Sequence, residues 1–210
     1  RKPSDGSVHL RIKPDQLGKE FIHTVTLGDG VVEGGHFRGQ YRDNKVLKIT
    51  RHFNRVEFVQ VNTLFYLDPE SPLSRAQDAN VPDAVLAVAK VVAEDKASGD
   101  ILVDVGGVFL GEALSQIKAS PRPDEKPGKA FTLGKLNKDR SKIVKLASYP
   151  DNTLVVTDLV YEDQAPKVRG GEDVTDSRYV SAIIQHNFIA MPANQYQPRR
   201  DDYRVGYFTE

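Results

Sequence analysis

Five histidines, His9, His23, His36, His52 and His186, are the residues of this chain best suited to acid–base or metal chemistry near neutral pH. No two stand four apart, and no His-Glu-x-x-His pattern occurs. Four-residue spacing is what sets two imidazoles on one face of a helix, so the helical zinc site is excluded. A site assembled from distant strands is left. His9 and His23 fall in successive strand-like runs, on adjacent strands in this reading, where the structural alternative is histidines on the polar face of a sheet. A hydrolase centre built from dispersed His and Asp residues, with His23 and His186 as the positions to test, is the catalytic alternative.

The other chemical signatures are weaker. Gly28, Gly30 and Gly34 follow a strand, but their spacing is not G-x-G-x-x-G and a strand pattern comes next, so no helix N-terminus would face a phosphate. A surface loop accounts for them. The nucleophile elbow G-x-S-x-G is absent. Asp100 and Asp104 flank the apolar Ile101 to Val103, which reads as a solvated face, and spacing nominates no acid/base pair. Cysteine is absent, which removes disulfides, thiolate metal sites and a cysteine nucleophile together. The residues alone assign no catalytic and no metal-ligating position.

Charge is abundant but balanced, 29 basic against 29 acidic residues, so no long-range field gathers nucleic acid. No apolar run approaches the ~20 residues of a membrane-spanning helix. The opening Arg1-Lys2-Pro3 has neither an initiator Met nor an apolar signal core, which leads us to expect a processed or trimmed start. The closing stretch from Pro198 to Glu210 breaks off among Val205, Tyr207 and Phe208, β-favouring residues, and is expected to lead onward.

The elements that must position these residues are mostly strands. Val8 to Ile12 alternates, Pro14 to Gly18 turns, and Phe21 to Leu27 runs on as a second strand. A glycine-rich loop spans Gly28 to Gly39. Val46 to Thr50 and Val56 to Tyr66 are the next two strands, with Asn54 at their turn. Ser74 to Asn80 reads as a short helical turn. Val85 to Ala93 reads as a strand hairpinned through a polar loop to Ile101 to Val105, while Ala84, Ala87, Ala89 and Ala93 keep a helix open. Ser120 to Gly128 is a proline-rich connector. Asn137 predicts an N-cap for a short helix through Ser148, with Ile143, Leu146 and Ala147 as its buried stripe. Leu154 to Tyr161 and Tyr179 to Met191 are strands. The fold class is therefore mainly β, a β-rich α+β chain of antiparallel sheets packed as a sandwich or with a few short helices, in one domain over residues 1–210.

Two stretches carry a family likeness. "FTLGKLNKDRSKIVKLASYPDNTLVV", Phe131 to Val156, resembles a leucine-acid-x-x-arginine-serine pattern followed by proline-x-asparagine and a strand. "HNFIAMPANQYQPRRDDYRVGYF", His186 to Phe208, resembles the closing pattern of the same family. Together they are similar to the N-terminal domain of unknown function that precedes the catalytic domain in bacterial zinc-dependent metallopeptidases. Asn137 stands where that family favours an acid, and Met191 where it favours leucine.

The resemblance implies a downstream catalytic domain bearing an extended His-Glu-x-x-His-x-x-Gly-x-x-His helix and zinc, in a protein exported by a Gram-negative bacterium to the periplasm or outside the cell. No zinc ligand carries over to this chain. It implies a non-catalytic scaffold that packs in cis against the peptidase domain and shapes its cleft for a peptide or protein substrate. Arg199, Arg200, Asp201, Asp202, Tyr203, Arg204 and Tyr207 would then form a charged interdomain seam with tyrosine anchors, against the alternative of an exposed linker. An independent peptide- or glycan-binding module, using a sheet edge or the Gly28 to Gly39 loop, is the rival class.

Overall fold

The computed structural model describes residues 1–2, 4–65, 70–76, 81–118, 128–193 and 195. Among them nine strands form one antiparallel sheet: β1 His9–Ile12, β2 Glu20–Asp29, β3 Tyr41–His52, β4 Arg55–Gln60, β5 Ala84–Glu94, β6 Ile101–Asp104, β7 Lys135–Ser148, β8 Asn152–Glu162 and β9 Tyr179–Ala190. The spatial order is β1-β6-β5-β4-β3-β2-β9-β8-β7. Strands β2 to β6 make one meander and β7 to β9 another, and the β2–β9 ladder joins them. Strands make up 48% of the described residues and helix very little, so the fold class read from the sequence holds, realised as a single curled sheet.

Twist and bulges supply the curl. Register shifts interrupt β2 at Val25/Thr26, β4 at Phe58/Val59, β5 at Val91/Ala93 and β7 twice. The two edges of the sheet thereby approach one another. The Arg1 guanidinium donates to the Ile143 carbonyl at 3.0 Å, and Val8 and Ile12 share a core cluster with Ile143 and Val155. The concave face is filled by the segment after β6. It contains the single-turn helix α1 (Gly106–Phe109) and buries Val105, Val108, Phe109, Leu114 and Ile117.

The segment 84–93 is strand β5. Its alanines serve the sheet: Ala87 and Ala89 face inward opposite Phe58 and Val56, where larger side chains would crowd the core. The loop Glu94 to Asp100 closes the β5–β6 hairpin, with Asp95 N donating to Asp100 O at 2.9 Å.

Three expectations are corrected. Residues 137–148 form no helix; they belong to β7. The helix-like spacing of Ile143 and Leu146 comes from the bulge at Ile143/Lys145, which sets residues three apart on β7 opposite Thr157 and Val155, two apart on β8. The strand expected from Val56 to Tyr66 ends among the described residues at Gln60, where the Asn62 side chain accepts from Leu64 N at 3.0 Å and turns the chain; Tyr66 lies outside the described residues. Finally, His9 and His23 are not on adjacent strands: β1 pairs with β6, four strands away from β2. The predicted turn at Ser74 to Asn80 is a 3-10 helix over Pro72–Ala76, its last four residues lying outside the described ones.

Candidate functional site

Strand alternation carries His23, Val25 and Leu27 inward from β2, and Ile184, His186 and Phe188 inward from β9. His23 is 0% and His186 2% exposed. Their nitrogens, Nε2 of His23 and Nδ1 of His186, lie 3.0 Å apart. The ring planes differ by 7° and the centroids are 5.3 Å apart, as far as such a contact between two ring nitrogens allows, so the rings meet end to end. One N–H donates head-on to the other ring's lone pair, as two neutral imidazoles can do and two imidazoliums cannot.

The surroundings enforce neutrality. Burial pushes both histidines well below their usual range, and the Lys45 ammonium adds to the effect on each. Lys45 faces His23 directly across the β2–β3 ladder, forms an ion pair with Asp43 and donates to the Leu114 carbonyl at 2.8 Å. Phe188 lies over His23 at 4.7 Å, and Phe109 of α1 meets His186 edge-on at 5.7 Å. Nδ1 of His23, Nε2 of His186 and Oγ1 of Thr157 make no hydrogen bond among the described residues. The pair is thus a sealed element of the core, with neither ring offered to a substrate.

A second knot fixes the segment over the concave face. The Glu112 carboxylate accepts from Ile117 N at 2.8 Å, Lys118 N at 3.0 Å and the Tyr161 phenol at 2.8 Å. Burial and this carboxylate push the Tyr161 phenol well up. The Ile117 carbonyl accepts from Arg42 at 3.2 Å and from His36 Nε2 at 3.1 Å, which places the His36 proton on that nitrogen. Burial lowers His36 as well.

On the surface, a cleft of about 710 Å³ opens where β7 begins and β8 ends, lined by Lys118, Lys135, Asn137, Lys138, Glu162 and Gln164 among others. Glu162 accepts from Asn137 and Gln164 and lies 3.7 Å from the Arg140 guanidinium. The Asn137 and Gln164 hydrogen bonds, then Arg140, hold its carboxyl below the usual range. Arg140 also stacks over the Tyr179 ring at 4.4 Å.

Residues 39–210 match the model of a family described as a domain of unknown function (DUF5117). The chain belongs to that family. No curated protein and no solved structure matches it. The DUF5117 match covers both stretches quoted above for their likeness, and most of the described part of those stretches lies in β7, β8 and β9. Asn137, Arg140 and Ser141 build the first bulge of β7: Ser141 Oγ donates to Asn137 O at 2.7 Å and accepts from Val160 N at 3.0 Å, while Asn137 Oδ1 accepts from Arg140 N at 3.1 Å. Asp151 and Asn152 turn β7 into β8 and tie that turn to β9 through Ala190 N to Asp151 O at 2.7 Å and Asn152 to Asn187 at 3.0 Å.

The remaining sequence-derived positions of this DUF5117 chain sort plainly. Gly28, expected in the loop, lies within β2 against Ile183 and Gln185, while Gly34 packs against His36 in the loop that follows, which holds only the 3-10 turn Val32–Gly34 before β3. Asp100 binds Arg11 at 2.6 Å and Asp104 accepts from Gly106 N at 3.0 Å. His23, expected on a polar face, is instead wholly buried. Among the described residues no three His, Cys, Asp or Glu side chains converge as a metal site. The seam of Arg199, Arg200, Asp201, Asp202, Tyr203, Arg204 and Tyr207 lies outside the described residues. The sequence names His23 and His186 together only as positions to test and does not show their contact, although each histidine occupies the apolar phase of its strand, between Phe21 and Val25 in one case and between Ile184 and Phe188 in the other.

Proposed function

We propose that the chain is a non-catalytic scaffold domain of an exported bacterial zinc-dependent metallopeptidase, packing against the catalytic domain in cis and shaping its substrate cleft. The observation that carries this reading is the employment of the residues behind the resemblance. Asn137, Arg140 and Ser141 form a bulge, Asp151 and Asn152 form a turn, and His186 is sealed in the core. Each has an architectural task, and none presents a nucleophile, base or ligand to a substrate. Both stretches fall within the family match. In this reading zinc belongs to the downstream domain, and no ligand for it is assigned here. The reading frame beyond Glu210 is the test: a His-Glu-x-x-His-x-x-Gly-x-x-His sequence there supports the proposal, and a stop codon or an unrelated domain contradicts it.

A second reading, a peptide- or glycan-binding module, is favoured by the polar cleft beside β7. Saturable binding of a peptide or glycan that is lost in a Lys138→Glu variant supports it, and uniform failure in both screens removes it.

A further inference from the structure

Two apolar clusters occupy the concave face. One contains Leu47, Phe58, Ile101, Phe109 and Val155, with Phe21 and Phe188 against it; the other contains Val25, Leu27, Leu159, Tyr161 and Ile184. Along β2, His23 lies between Phe21 of the first and Val25 of the second. Along β9, His186 lies between Ile184 of the second and Phe188 of the first. On β8, Thr157 separates Val155 from Leu159 in the same way, and on β3 Lys45 precedes Leu47. A polar row therefore crosses four strands, β3, β2, β9 and β8, where the two clusters meet. It also crosses the β2–β9 ladder, the joint between the two meanders.

Few charged groups face this row. Lys45 acts on both rings, each ring is the other's neighbour, and Asp43 is already held by Lys45. Thr157 from β8, Phe188 from β9 and Phe109 from α1 complete the surroundings without a charge. A proton added here meets an ammonium, aromatic rings and no free carboxylate. A second added proton sets N–H against N–H where the nitrogens now share one hydrogen at 3.0 Å. Uncompensated charge in such a site is expelled by opening the structure rather than tolerated.

We propose that the His23–His186 row is an acid-sensitive latch, closed while the pair is neutral, whose protonation loosens the β2–β9 joint and lets the two meanders separate. This inference stands independently of the metallopeptidase reading. The sign follows from linkage: above pH 6.5 the rings are neutral in both folded and unfolded chains, and the latch is fully closed. Below it the unfolded chain takes up protons that the closed row refuses, so the opening equilibrium rises about tenfold per pH unit for each histidine. Carboxylates with ordinary values near 4 titrate lower, which leaves roughly pH 6.5 to 5 as the diagnostic window.

The test is native-state hydrogen exchange on the full chain at pH 7.5 and 5.5, compared as protection factors. The latch predicts a loss of roughly 10- to 100-fold in β2 and β9 amides at pH 5.5, with β4 and β5 changing far less. A His23→Phe/His186→Leu chain should keep its protection at pH 5.5, and a His36→Gln chain should still lose it. Unchanged protection in β2 and β9, an equal loss in all strands, or a loss that disappears with His36 would overturn the latch. Should the double variant not fold, the wild-type pattern and the His36→Gln chain decide the matter.

Discussion

The Tyr161 phenol donates to the Glu112 carboxylate at 2.8 Å, fastening the segment that fills the concave face to the end of β8. Tyr161 is 1% exposed, so its hydroxyl has no water to turn to when that contact is lost. Tyr161→Phe keeps the ring and leaves Glu112 its two backbone donors. It should lower stability by about 1–2 kcal/mol in urea unfolding. Glu112→Ala strands Ile117 N, Lys118 N and the phenol together and should cost more. Equal values for the two variants would show that the carboxylate does not organise this segment.

Ser141 is the hinge pin of the first β7 bulge. Its hydroxyl bridges Asn137 O and Val160 N, restoring a ladder interrupted between Asn137 and Lys142. Ser141→Ala leaves Val160 N without that partner and is expected to destabilise by roughly 1–3 kcal/mol, with Ser141→Thr milder. Chemical denaturation of both variants measures this. A neutral Ser141→Ala would mean the bulge does not depend on the hydroxyl.

Phe53 takes φ of +53° at the β3–β4 turn and is 80% exposed. A left-handed backbone at a bulky residue costs of the order of 1–2 kcal/mol, and little burial is gained in return. Phe53→Gly should raise stability by about 0.5–1 kcal/mol, the relief exceeding the entropy glycine adds to the unfolded chain. A lower midpoint for the variant would show that the ring, which meets His52 edge-on at 4.8 Å, contributes more than its strain takes away.

Alternation made most strands legible in the sequence. Phe21 to Leu27, Leu154 to Tyr161 and Tyr179 to Met191 each announce themselves through β-branched and apolar residues at every second position, and the structure places β2, β8 and β9 there. Alternation fails where a strand is bulged. Ile143 and Leu146 look helical because an extra residue enters between them, and the turn-like Asn137 that suggests an N-cap accepts from Arg140 N within a strand instead. Long-range pairing leaves no local trace: nothing near His9 says that β1 adds to β6, some 90 residues on. The central pair shows a different limit. His23 and His186 hold apolar positions in their strands, but only the tertiary register brings two residues 163 apart to 3.0 Å.

Core truncation separates the two clusters of the concave face. Phe58 in the first is 1% exposed and Leu159 in the second 0%. Phe58→Ala is expected to cost about 3–5 kcal/mol and Leu159→Ala about 2–5 kcal/mol. Amide exchange should report losses centred on β4 and β5 for the first and on β8 and β9 for the second. Identical exchange maps would show one undivided core.

In the function proposed above, this chain supports a zinc peptidase without itself holding the metal or cutting the substrate. Metal analysis of the purified chain after exposure to zinc, paired with a casein-cleavage assay on the same sample, tests that most directly. The account predicts zinc well below one equivalent per chain and no cleavage above background. One tightly held zinc per chain together with hydrolysis would contradict it.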